Sequence, residues 1–153
     1  MSTLQEKNEA VIQKYIEEYW GKGNVDVVDE VCAENFVIYY PMHGPAAAFP
    51  NISLHAYKFP LIAEGDYAVG RWIGGGKHTG RAFDDLAVGK LDKPNSGGEV
   101  YFSGTTNFTL KNGKIVDEIG GEQALTALQQ LQLVSPPPNP GKKIKYDAEG
   151  NHI

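Results

Sequence analysis

Val100 to Leu131 reads VYFSGTTNFTLKNGKIVDEIGGEQALTALQQL, and the fold class turns on how this stretch is interpreted. Apolar and aromatic residues alternate with small polar ones as far as Leu110. The chain then turns at Lys111-Asn112-Gly113-Lys114, and strand character resumes at Ile115-Val116. An Asn-Gly pair between two β-rich runs is a strong hairpin signal, because both central residues of a type I′ turn need positive φ. Asp117, Glu118 and Glu122 follow, just ahead of a helical run over 122–133 in which Leu125, Leu128 and Gln132 are spaced for one face. Three carboxylates thus emerge where a strand gives way to a helix, a common place for a pocket to open.

Working outward, residues 3–20 form the clearest helix. Leu4, Val11, Ile12, Tyr15, Ile16, Tyr19 and Trp20 recur at the spacing that lines one helical face. Thr3 and Glu6 fit a capping box, and Gly21-Lys22-Gly23 ends the helix. Asn24 is placed to cap a shorter second helix that turns Val25, Val28, Val31 and Cys32 inward. The periodicity then changes, and Phe36 to Tyr40 reads as a strand stopped by Pro41. A second strand is expected over 51–62, with His55 and Tyr57 on one face and Ile52, Leu54 and Ala56 on the other. Glu64-Gly65-Asp66 turns the chain into a third, Tyr67 to His78, whose Gly70 and Gly74-Gly75-Gly76 around Trp72 and Ile73 point to a bulge or a close approach. The loop 81–98 is long and polar, and the tail begins as a polyproline spacer, Pro136-Pro137-Pro138. Helices first and mostly antiparallel strands after them make an α+β pattern. We expect a domain over 1–134 and a Pro-rich tail over 135–153.

The run GDYAVGRWIGGGKHTG, Gly65 to Gly80, followed by FTLKNGKIVDEI, Phe108 to Ile119, resembles the paired signature of the SnoaL-like polyketide cyclases within the NTF2-like superfamily. The resemblance spans most of residues 5–133. It implies a cone, in which a curved, mostly antiparallel sheet is wrapped by the N-terminal helices around one apolar cavity, and it implies a homodimer. Met42 to Phe49 departs from that family, keeping only a short Pro- and Ala-containing connection where a third helix is usual.

With 153 residues the chain has room for one domain with a sizeable core. A net charge of −5 argues against a nucleic-acid partner, which wants a basic face. No apolar run approaches the ~20 residues of a membrane span, and MSTLQEKNEA is polar where a signal peptide needs an apolar core. The single Cys32 reads as a core residue in a reducing compartment, so we expect a cytoplasmic protein.

The histidines lack metal-site spacing, no Gly-rich loop ends in Lys-Ser/Thr, and no Gly-x-Ser-x-Gly elbow occurs. That leaves chemistry without metal or cofactor, in which a desolvated carboxylate or imidazole moves protons. His78 falls at the strand end that the resemblance marks as Gly-Thr-His, on the same alternation as Trp72; the plainer reading is a histidine at a strand end. Asp117 and Glu118 alternate, so one of them faces inward, and the family's usual Glu aligns with Asp117. The resemblance also implies an acid near Gly120 and a histidine near Thr106, and this sequence has neither. Glu122 is the nearest carboxylate to substitute, unless it serves only the dipole of the following helix. The catalytic candidates are therefore His78, Glu122 and Asp117. Tyr40, His55, Tyr57, Trp72, Tyr101 and Asn107 are candidate walls for a flat hydrophobic substrate. Two functions remain open: an acid–base cyclase, isomerase or dehydratase acting on a polyketide- or terpenoid-like intermediate, and a non-catalytic module binding a small molecule or a partner protein.

Overall fold

The computed structural model describes residues 2–40, 53–54, 60–80 and 97–132, and beyond them 134, 135, 138, 146, 147, 149–151 and 153. His55, Tyr57, the 42–49 connection and nearly all of the 81–98 loop lie outside the described residues. Helix α1 (Leu4–Tyr15) runs into a π-helical turn, Ile16–Trp20, and α2 (Val27–Val31) leads into β1 (Cys32–Tyr39). After β2 (Ser53–Leu54) and β3 (Ile62–Glu64) come the long strands β4 (Tyr67–Lys77), β5 (Glu99–Lys111) and β6 (Lys114–Glu122), then α3 (Ala124–Gln130). The strands are hydrogen-bonded in the order β1-β6-β5-β4-β2, with β3 also on β4. β1 runs parallel to β6, and β3 antiparallel to β4. This mixed sheet with helices is the α+β class that the sequence indicates. Among the described residues no helix is long and apolar enough to cross a membrane.

The Asn-Gly hairpin forms as its chemistry requires, with Asn112 at φ 52° and Gly113 at φ 75° between β5 and β6. The capping box also forms: Thr3 Oγ1 accepts from the Glu6 amide at 3.2 Å, and Glu6 accepts from the Thr3 amide at 2.7 Å.

Other local expectations shift. Asn24 does not cap α2, which begins after Asp26 without a side-chain cap; it accepts from the Asp26 amide, closing the turn ahead of the helix. Val25 points out and Val27 points in. At the other end β6 continues to Glu122, so the last helix starts later than its spacing suggests. Its inward residues are Ala127 and Leu128, followed by Leu131, while Leu125 and Gln132 are exposed. Tertiary burial overrides a weak period in so short a helix.

The chain forms two compact units. The first comprises Met1–Tyr40, Leu54–Trp72 and Gly104–Gly121. Its core gathers Ile12, Tyr15 and Ile16 of the N-terminal helix with Ala68, Trp72, Phe108, Leu110 and Ile115 of the sheet. Asn8, buried in the same helix, donates to the Gly65 carbonyl at 2.8 Å and ties α1 to the β3–β4 turn.

The second unit comprises Pro41–Ser53, Ile73–Ser103 and Glu122–Ile153. Ile73, Val100, Phe102, Ala127, Leu128 and Leu131 are buried in it. Gln130 serves there as a stand-in strand: its amide accepts from the Tyr101 N–H at 2.9 Å and donates to the Tyr101 carbonyl at 3.1 Å.

Candidate functional site

A buried carboxylate at the heart of the first unit is its most unusual feature. Glu118, 1% exposed, accepts three side-chain hydrogen bonds. Tyr15 Oη donates to Oε2 at 2.6 Å, while Tyr40 Oη at 2.5 Å and Trp20 Nε1 at 3.1 Å both donate to Oε1. Burial pushes its carboxyl above the usual range, and the bonds from Tyr15, Tyr40 and Trp20 act in the opposite direction. An isolated charge could not be kept this dry; among the described residues three neutral donors hold it.

Backbone geometry explains how those donors converge. At 3.6 residues per turn, Trp20 would sit about 140° around the helix from Tyr15. The π-helical turn at Ile16–Trp20 returns the residue five positions on to the same side, so both reach Glu118. Tyr15 is sealed at 0% exposure, stacked on Tyr19 at 5.2 Å and edge-on to Phe36 and Phe108. Its phenol is raised well above its ordinary range, first by burial and then by the negative charge of Glu118.

Tyr40 arrives from the sheet. An irregularity between Cys32 and Val37 resets the β1–β6 pairing so that Ile38 lies opposite Glu118 and Tyr39 opposite Ile119. One residue further on, the Tyr40 ring lies over Gly120, where an added Cβ would fall 2.0 Å from Cε1. Trp72 is seated in the same way over Gly104, where a Cβ would fall 2.1 Å from Cζ2. The polar tips of both rings meet at Thr106 Oγ1, each at 2.8 Å. Trp72 must be the donor to that oxygen. With the Tyr40 hydroxyl proton committed to Glu118, the Thr106 hydroxyl donates to Tyr40. The result is a directed chain from Trp72 through Thr106 and Tyr40 to Glu118. A chain of hydroxyls ending on a desolvated carboxylate can accept, pass and return a proton.

Of the nine candidate residues, the structure brings Tyr40 and Trp72 together, with ring centroids 6.3 Å apart. Asp117, half-buried, pairs with the exposed Val37, and Asn107 is exposed between the buried Thr106 and Phe108. His78, Tyr101 and Glu122 belong to the second unit. There His78 is fully buried just past β4, its backbone exchanging hydrogen bonds of 2.8 and 2.9 Å with Gly98 and Gly97. Tyr101 is half-buried, and Glu122 is half-buried at the end of β6. His55 and Tyr57 lie outside the described residues. Among the described residues, no three His, Cys, Asp or Glu side chains cluster as a metal site requires.

Sequence reasoning missed Glu118, Tyr15 and Trp20 as members of one site. The alternation of Asp117 and Glu118 leaves open which faces inward, and the family resemblance favours Asp117; in β6 the burial alternation slips, with Ile115 and Glu118 both buried. The available signal was the pair of glycines after Glu118, which leaves room beside it for a large ring.

Residues 10–131 match the model of the SnoaL-like polyketide cyclase family. Among solved structures, the chain is similar to a candidate SnoaL-like polyketide cyclase from Jannaschia sp. CCS1, with a TM-score of 0.70 and 20% identity over 90% of this chain and 98% of that one. It is also similar to AclR from Streptomyces galilaeus, described as a candidate hydroxylase, with a TM-score of 0.67 and 15% identity over 88% and 86% of the two chains. IdmH from Streptomyces antibioticus, described as a candidate polyketide cyclase, gives 0.65 and 18% over 82% and 98%. At these identities the likeness is one of fold. A comparison with curated protein sequences gives no match.

Proposed function

This chain belongs to the SnoaL-like polyketide cyclase family, and on that premise we propose that it is an acid–base enzyme, independent of any cofactor, that cyclises, isomerises or dehydrates a hydrophobic polyketide-type intermediate. The observation that carries this reading is Glu118, a carboxylate removed from water and held by two phenols and an indole. Desolvation makes it a stronger base than it would be in solution, which suits removal of a proton beside a carbonyl at neutral pH. The aromatic faces of Tyr40 and Trp72 favour a flat, apolar substrate.

The test is incubation with poly-β-carbonyl aromatic esters, followed by mass spectrometry. Cyclisation or isomerisation gives a product of unchanged mass, and dehydration gives the loss of one water. As a generic probe, exchange of the α-protons of 2-tetralone in D2O, read by NMR, is expected to fall about 100-fold or more in Glu118→Gln. Equal rates in variant and wild type would sink the acid–base assignment.

A second reading, a ligand-binding module without turnover, draws on Thr106 and Gly120, which stand where the family resemblance implies a histidine and an acid. It predicts saturable binding of the same esters with no product at any pH.

A further inference from the structure

Among the described residues three side chains donate to Glu118, and of these one is suited to trade protons with a substrate. Tyr15 is 0% exposed and enclosed by Tyr19, Phe36 and Phe108. Trp20 is half-buried, but an indole N–H does not ionise in the working range of a protein. Tyr40 is half-buried, carries an ionisable hydroxyl, and sits between Glu118 Oε1 at 2.5 Å and Thr106 Oγ1 at 2.8 Å.

The geometry points to Tyr40 as a catalytic residue: its hydroxyl takes the substrate proton while handing its own to Glu118, and Gly120 is the position that makes room for its ring. The inference rests on the acid–base reading of Glu118 and names the group through which that carboxylate works.

The step balances without a co-reactant. A substrate C–H bond breaks and leaves its electron pair on the carbon as an enolate. Its proton bonds to the Tyr40 oxygen while the former Tyr40 proton bonds to Glu118, so the negative charge moves from Glu118 to the substrate. Reversal at a different carbon returns the proton and completes an isomerisation; ring closure onto a second carbonyl before reversal completes a cyclisation. Thr106, itself bonded by Trp72 Nε1, donates to the Tyr40 oxygen and helps fix the orientation of that hydroxyl. The same site explains why a side chain is excluded at position 120, since a Cβ there would collide with three atoms of the Tyr40 ring at 2.0–2.5 Å.

Tyr15, Tyr19, Trp20, Cys32 and Tyr40 surround the carboxylate electrostatically, with Lys114 acting on Cys32. A pH profile must therefore be read in variants of Tyr40 and of Glu118 together.

The experiment measures 2-tetralone α-proton exchange and a 13C-carboxyl titration of Glu118 in wild type, Tyr40→Phe, Gly120→Ala, the double variant and Glu118→Gln, all checked for folding by circular dichroism. Tyr40→Phe is expected to lose exchange by about 100-fold with little change in KM, and its Glu118 titration should move further upward, since a donor to the charged form is gone. Gly120→Ala should reproduce both effects by displacing the ring, and the double variant should add nothing further. Wild-type exchange in Tyr40→Phe alongside a loss in Glu118→Gln overturns the role of Tyr40 and leaves the acid–base function standing. Unchanged exchange in both variants, or none in wild type, overturns the two together. Should Tyr40→Phe fail to fold, Gly120→Ala with an unmoved titration and full exchange overturns the proposal by itself.

Discussion

Gly75 in β4 and Gly120 in β6 are both strand glycines pressed against a tyrosine, yet they exclude a side chain for different reasons. A Cβ at Gly75 would lie 2.0 Å from the Val100 carbonyl oxygen and 2.8 Å from the Tyr101 Cα, so main chain packs on main chain within the second unit. At Gly120 the three atoms nearest an added Cβ all belong to the Tyr40 ring, a side chain rather than main chain. The first glycine protects the scaffold. The second places a functional group, and its loss should cost chemistry more than stability.

The largest effect is expected at Gly75→Ala, where neither backbone can yield. We expect a loss of about 3 kcal/mol in urea unfolding, at the upper end of overpacking costs; a loss below about 1 kcal/mol would break the contrast. Next is Tyr15→Phe, which strips one donor from a buried carboxylate and is expected to cost about 2 kcal/mol, measured in the same way.

The pH dependence of stability sharpens the same point. The Glu118 carboxyl is raised in the folded state by burial, so the folded chain holds that proton more tightly than the unfolded one does. Its stabilising contribution is full below the ordinary value of 4.5 and is lost as pH rises through the folded-state value. Wild type should therefore lose stability relative to Glu118→Gln as pH rises from 4.5 toward neutrality, read as a divergence of their melting temperatures. Parallel curves would mean that the carboxylate is not desolvated as described.

Gly120→Ala should be milder, about 1 kcal/mol, with the Tyr40 effects outlined above. Smallest is Gln130→Ala, expected to cost about 1 kcal/mol or less and to expose the Tyr101 amide to hydrogen exchange, because the Gln130 amide accepts from that N–H and donates to the Tyr101 carbonyl.

The legible parts of this protein were those whose signals are local. The Asn112-Gly113 turn and the Thr3–Glu6 capping box each depend on residues within a few positions of one another and form as read; the N-terminal helix forms where its spacing places it, but its last turn, Ile16–Trp20, is π-helical and Leu4 is exposed. The candidate site depends on contacts 34 to 103 residues apart. Tyr40 and Trp72 were picked out as aromatic walls, but their shared partner Thr106 was noted only for the histidine it replaces. Asp117 and Glu118 alternate along β6, and the alignment of the family's usual Glu favours Asp117, whereas the structure buries Glu118.

The sequence by itself determined the α+β class, the Asn-Gly hairpin and the family membership, since periodicity, turn chemistry and motif order are written along the chain. Tertiary structure alone decided which carboxylate is dry and which hydroxyls reach it. Those outcomes hang on a π-helical turn that swings Trp20 beside Tyr15, a register shift in β1 that lays Tyr40 over Gly120, and two side-chain-free positions under two rings. The glycines are visible in the sequence, but which ring each one seats, like the π-helical turn and the register shift, is settled by packing against residues distant in sequence.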